Sequence, residues 1–271
     1  MSFTRKLLLV AAIAAPFGSL HSADEKKDEK KPEPPRIVTA VPFAIVAGAT
    51  NKLIVRGLSL TNASEVRFPS TPSLAAEIKS RGKANLPDKA DPKKLGDTQL
   101  EILLNLPPDF ATGDLPFTVS TPDGETNTNL LHIVARELLI DEKEPNGSFR
   151  KPNDASMPQT IRGVIQEAND VDVFRFSSRA GQRIVIETKS ARYGSSLDAL
   201  LTLYDSQGHV LATSDDADNS DARITHVPPR GENYFIALND AHDRGGPTYT
   251  YIIEIREEPA PGTATSGAQP R

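Results

Sequence analysis

From residue 36 to residue 256 the chain is written in short runs whose apolar residues recur at a period of two, separated by turn residues. Arg36 to Val41, Asn51 to Arg56, Glu65 to Phe68, Thr98 to Leu106, Leu115 to Thr121 and Asn129 to Val134 read as strands on that alternation. Gly48, Gly57, Asn62, Gly113 and the triplet Pro122-Asp123-Gly124 supply the corners that short antiparallel strands need. A second set follows at Gln159 to Ile165, Val171 to Ser177, Arg183 to Thr188, Ala199 to Tyr204, His209 to Thr213, Arg223 to Val227, Asn233 to Leu238 and Thr248 to Ile255. The pattern predicts an all-β protein, with the second set closing as a jelly-roll-like sandwich. Val171 and Val173 share one parity and Phe174 and Phe176 the other, so a slip or bulge is expected at Asp172.

The flanks carry different signals. Arg5 and Lys6 precede an apolar run from Leu7 to Phe17 and then Gly18, Ser19, Ser22 and Ala23, the order of an export signal over residues 1–23. That run is too short to span a bilayer, and no later run approaches spanning length, so no transmembrane segment is expected in the mature chain. Residues 24–35 are charge-balanced and end in prolines, which predicts a linker with nothing to bury. Residues 257–271, rich in Pro, Ala, Gly and Thr, read as a disordered tail. Between the two strand sets, residues 137–146 are charged and poor in apolar residues and read as a linker. The expected domains are therefore 36–136 and 147–256, each folding by itself.

Composition narrows the chemistry. With no cysteine, a lipid-anchoring thiol, a thiolate metal site, a cysteine nucleophile and disulfides are all excluded. The formal charge of -5 becomes more negative once Arg5 and Lys6 leave with the signal, which argues against nucleic acid as a partner. Lys79, Arg81, Lys83, Lys89, Lys93 and Lys94 make the stretch 79–94 a basic loop, able to grip an anionic wall polymer or simply kept polar for solubility. His132, His209, His226 and His242 are scattered, with no His-Glu-x-x-His and no Gly-x-Ser-x-Gly, and no catalytic residue is assigned.

The concentrated oxygen donors are Glu142-Lys-Glu144-Pro145-Asn146 and Asn169-Asp170-Val171-Asp172. Residues i, i+2 and i+4 of an extended segment face one way, so Glu142, Glu144 and Asn146 make one group of ligands, and Asn169 and Asp172 a second. Hard cations require six to eight such oxygens. The plainer alternative is an acidic linker beside a hydrogen-bonded turn cap. The cluster Asp215, Asp216, Asp218 and Asp221 fails the EF-hand spacing, because Asp221 and Val227 stand where glycine and glutamate are needed, and it reads as a solvated hairpin loop. Phe174, Phe176, Tyr204, Tyr234, Phe235, Tyr249 and Tyr251 sit at strand positions that core packing explains, with a carbohydrate or peptide face as the alternative.

The order Glu144-Pro145-Asn146, Asp170-Val-Asp-Val-Phe-Arg-Phe176, Ala180-Gly-Gln182, Ser196-Leu-Asp198, Leu203-Tyr-Asp205, Gly231 to Tyr234 and Tyr249-Thr-Tyr251 resembles the bacterial pre-peptidase C-terminal domain over residues 142 to 256. That resemblance implies a β-sandwich appended to secreted enzymes or standing in non-enzymatic envelope proteins. It also implies Ca2+, since collagen-binding modules of related collagenases hold calcium on such a segment and turn. Gly147 and Asn169 stand here where carboxylates are expected. More weakly, Pro42 to Gly48, Leu53-Ile-Val-Arg-Gly57, Val66-Arg-Phe68 and Phe117 to Gly124 resemble the IPT/TIG immunoglobulin-like fold. The expected protein is exported to the periplasm or cell surface and non-catalytic. Its expected partner is an envelope polysaccharide or protein; the alternative is an accessory to a secreted peptidase or other hydrolase.

Overall fold

The computed structural model describes residues 33–86 and 91–259, so the expected export signal, most of the first linker and most of the tail lie outside the described residues. The first half contains β1 (Arg36–Val41), β2 (Ala44–Val46), β3 (Ala49–Leu58), β4 (Glu65–Arg67), β5 (Ala76–Lys83), β6 (Thr98–Leu106), β7 (Gly113–Thr121), β8 (Gly124–Glu125) and β9 (Asn129–Val134). A sheet in the order β1-β3-β6-β5 faces one in the order β2-β9-β7-β4, with β8 paired to β7. Alternate residues of these strands enter one core, among them Leu53, Val55, Leu100, Ile102, Leu104, Phe117, Val119 and Leu131.

The second half contains β10 (Leu139–Asp141), β11 (Asn153–Asp154), β12 (Gln159–Val164), β13 (Asp172–Ser178), β14 (Ile184–Thr188), β15 (Ala199–Tyr204), β16 (Val210–Ser214), β17 (Arg223–His226), β18 (Glu232–Asp240) and β19 (Thr250–Glu257). Sheets in the orders β10-β12-β19-β14-β17 and β11-β13-β18-β15-β16 sandwich Phe174, Phe176, Leu201, Leu203, Tyr234, Ile236, Tyr251 and Ile253. All eight strands expected here form. The chain is an all-β protein of two β-sandwiches.

Three local expectations change. The stretch 79–94 is not wholly a loop: its first residues belong to β5, which lies along β6 with a bulge between Ile78 and Ser80, and Pro92–Leu95 make one helical turn. No bulge occurs at Asp172, since β13 and β18 pair without a shift from Asp172↔Leu238 to Ser178↔Glu232. Val173, of the outward parity, is nevertheless buried, and along the strand edge its amide donates to the Asn146 carbonyl at 3.1 Å. Finally, residues 139–141 of the expected linker form β10, an edge strand running parallel to β12.

That edge strand carries the chain directly from one sandwich into the other, and their junction is apolar. Phe43, Ala44 and Val134 of the first half pack with Tyr193 and Ile252 of the second. The Tyr193 ring stacks on Phe43 at 5.2 Å between centroids. Around it the Tyr193 hydroxyl donates to Asp114 Oδ1 at 2.5 Å, while His132 lies 3.0 Å from Asp114 through Nδ1 and 2.9 Å from Glu254 through Nε2. Lys189 Nζ donates to the same Glu254 oxygen at 2.7 Å. Among the described residues the two sandwiches form one compact unit.

Candidate metal centre

Two segments converge at the start of β13. The first follows β10: past Asp141 the chain leaves the sheet edge, with the Glu142 amide still donating to the Arg162 carbonyl at 2.9 Å. The Glu144–Pro145 bond is cis. Asn146 is wholly buried, and its amide donates to Glu144 Oε2 at 2.9 Å. The second segment is the turn before β13, where Asn169 takes the left-handed conformation with φ 64° and donates its amide to the Asp243 carbonyl at 3.2 Å. Asparagine tolerates that conformation better than most residues. The turn delivers Asp170 and Asp172 to the same place: carboxylate oxygens of Glu144, Asp170 and Asp172 all lie within 4.8 Å of one another.

Glu142 meets Asp172 from another direction. Its Oε1 accepts the Val164 amide at 2.7 Å, and its Oε2 accepts the Tyr251 hydroxyl. That hydroxyl also lies 2.7 Å from Asp172 Oδ2, so the buried tyrosine bridges the two carboxylates. Gly163 is required beneath them, because a Cβ there would collide with Glu142 Oε2 and the Tyr251 hydroxyl. On its outer side Glu142 borders a cleft of about 490 Å3 between the sandwiches, walled by Val41, Ile54 and Val164.

The electrostatics of this cluster are unlike those elsewhere in the chain. Burial, followed by the charge of Glu142, pushes the Asp172 carboxyl up to about 9. Burial also raises Glu142, against the hydrogen bonds from Tyr251 and Val164. Buried Asp221 has Arg192 at 2.9 Å, buried Asp240 has Arg244 at 2.9 Å, and half-buried Glu254 has Lys189 at 2.7 Å. Among the described residues no ion pair reaches Glu142, Glu144, Asp170 or Asp172. Asp172 Oδ1 and both side-chain polar atoms of Asn146 are buried without a hydrogen-bond partner. Each such orphan costs about 1–3 kcal/mol. A hard cation would take the carboxylates of Glu144, Asp170 and Asp172 and the amide oxygen of Asn146, and would supply the missing positive charge. With water completing the six to eight oxygens, such a donor set could hold Ca2+.

Of the five residues expected to bind metal, Glu144 and Asp172 bring their carboxylates together here, and the Asn146 backbone bonds to Glu144 and Val173 beside them. Glu142 reaches Asp172 through Tyr251 with both oxygens already accepting hydrogen bonds, and Asn169 is exposed in the turn. Asp170 was not singled out in the sequence, although its spacing of two from Asp172 was the available signal. The acidic cluster divides. Asp215, Asp216 and Asp218 are exposed, whereas Asp221 is buried, its Oδ1 accepting the Ser190 amide at 2.6 Å and the Ala191 amide at 3.1 Å. It braces a loop rather than facing solvent.

Residues 170–240 match the model of the bacterial pre-peptidase C-terminal domain. A probable subtilase-type serine protease of Deinococcus radiodurans is 31% identical over 134 residues, which is 43% of this chain and 18% of that protein. The chain thus spans about a fifth of that relative's length. Among solved structures, the pre-peptidase C-terminal domain of a collagenase from Bacillus anthracis covers 42% of this chain and 99% of that one, at 15% identity and a TM-score of 0.34. A Bacteroides ovatus SGBP-B from a mixed-linkage glucan utilization locus, solved with a heptasaccharide, covers 73% and 71% at 8% identity and a TM-score of 0.25. Likenesses that slight carry no argument about function; the match to the pre-peptidase C-terminal domain is to residues 170–240, inside the second sandwich.

Proposed function

We propose that this is an exported, non-catalytic binding or accessory protein of the cell envelope, an IPT/TIG-like sandwich followed by a pre-peptidase C-terminal sandwich that holds Ca2+ on Glu144, Asp170, Asp172 and the Asn146 amide oxygen. The observation that carries the calcium reading is the buried anionic cluster with no cation beside it, next to the orphaned Asp172 Oδ1 and Asn146 side chain. Calcium there ties the segment after β10 to the turn before β13 and so fixes one end of the sandwich. A second reading, an accessory to a secreted hydrolase, is favoured by the stretch shared with the subtilase-type protease.

Calcium titration of the full chain by calorimetry and thermal melting tests this. Binding to the folded state alone adds about 2.7 kcal/mol at a hundredfold excess over Kd, which for a unit of this size raises the melting point by on the order of 5 °C. Glu144→Ala and Asp170→Asn abolish the shift, while Asp218→Ala, 68% exposed and paired with Arg192, leaves it intact. If millimolar calcium moves neither the melting point nor protease resistance, the cluster is no calcium site.

A further inference from the structure

The aromatic residues of the second sandwich divide by parity. Phe174, Phe176, Tyr234 and Tyr251 point into the core, but Tyr204 and Phe235 occupy the outward parity of the sheet β11-β13-β18-β15-β16. The registers align them in one row across all five strands of that sheet: Asp154↔Arg175, Arg175↔Phe235, Phe235↔Tyr204 and Tyr204↔Val210. Four strand spacings make the row about 19 Å long. Phe149 lies over its middle, edge to face with Tyr204 at 4.9 Å and with Phe235 at 5.2 Å, and is still 43% exposed. It is held there by the turn in which the Lys151 amide donates to the Ser148 carbonyl at 3.0 Å, two residues beyond buried Asn146.

We propose that this row, with Phe149 at its centre, is a binding platform for a polysaccharide, on which a pyranose ring stacks against Phe149 and extends along the row. The proposal names the ligand of the binding protein inferred above and rests on that reading. Several features favour a sugar polymer over a protein partner. The open part of Phe149 is on the order of 90 Å2, suited to one sugar ring, whereas a stable protein interface needs roughly 800 Å2 on each side. Apart from Phe149, the row's exposed apolar surface is Val210, and polar pairs bound it: Arg175 with Asp154 at 2.7 Å, and Ser177 with Asn233 at 2.8 Å one step along the same face. Exposed groups that both donate and accept suit hydroxyls. The row's charges compensate each other, so a neutral or weakly acidic polymer fits better than a polyanion. Because Phe149 follows directly on the segment that carries Glu144 and Asn146, calcium strengthens sugar binding by fixing the turn beneath the ring.

The test is calorimetric and NMR titration of the full chain with cellohexaose, chitohexaose and hexagalacturonate, in calcium and in chelator. Cellohexaose or chitohexaose binds, shifting the Phe149, Tyr204 and Phe235 ring signals, and hexagalacturonate binds more weakly; binding of hexagalacturonate alone overturns the platform. Phe149→Ala weakens binding on the order of tenfold or more with the melting point nearly unchanged, and Phe149→Tyr restores it. Binding that Phe149→Ala leaves untouched, or no binding to any of the three, overturns the platform. A calcium-induced melting shift without sugar binding overturns the platform alone. Sugar binding that depends on Phe149 but is indifferent to calcium overturns the coupling of the two sites and keeps the platform.

Discussion

Removing the Tyr193 side chain should uncouple the two sandwiches. Tyr193 belongs to the second half, is 1% exposed, and stacks on Phe43 of the first at 14° between ring planes. Deleting a buried ring of this size costs about 3–5 kcal/mol when the cavity cannot collapse. Here the cavity opens between Phe43 and Val134 of the first sandwich and Ile252 of the second. Tyr193→Phe isolates the hydroxyl. Its partner Asp114 is 48% exposed and regains water, so that variant costs only about 1 kcal/mol. The assay is urea unfolding of the full chain followed by circular dichroism and by tyrosine fluorescence. Wild-type traces should coincide in one transition, as a shared apolar junction requires. Tyr193→Ala should lower total stability by several times the loss seen in Tyr193→Phe and separate the two probes. A wild-type chain that unfolds in two well-resolved steps, or a Tyr193→Ala loss below about 1 kcal/mol, would refute the reasoning.

Other consequences are independent of that junction's apolar part. Burial by itself raises Glu254, but the hydrogen bonds from His132 and Lys189 outweigh it and hold the carboxyl at about 2 instead of 4.5. A depressed carboxylate adds stability that is complete above its unfolded value and lost as pH falls from about 4.5 toward 2, on the order of 3 kcal/mol; Glu254→Gln should flatten acid unfolding across that window. Gly163→Ala drives a methyl group into Glu142 and Tyr251, so it should lower the melting point and weaken calcium binding together, measured by calorimetry. Asp221→Ala strips two backbone amides and Arg192 of their acceptor and should cost about 2–3 kcal/mol in urea unfolding, whereas exposed Asp216→Ala should be neutral.

Sequence alone determined eight of the ten strands of the second sandwich, because alternation at a period of two reports directly which face of a strand is buried. It also located the oxygen-rich segments, since Glu144, Asn146 and Asp172 are conspicuous as residue types. Short edge strands such as Leu139–Asp141 escaped it: three residues carry no measurable period, and their pairing with β12 is set by a partner about twenty residues away. The doubled apolar parity at Asp172 predicted a bulge because the burial of outward-facing Val173 could not be seen. The same blindness hid the split among acidic and aromatic residues. Asp221 and Asp218 are alike in composition, yet one braces buried amides and the other faces water. Phe174 and Phe235 are both strand phenylalanines, and only the pairing of five strands decided that Phe235 joins an outward row while Phe174 fills the core. Burial, charge compensation and alignment across strands are properties of neighbours in space, and they arise only when the sheets close.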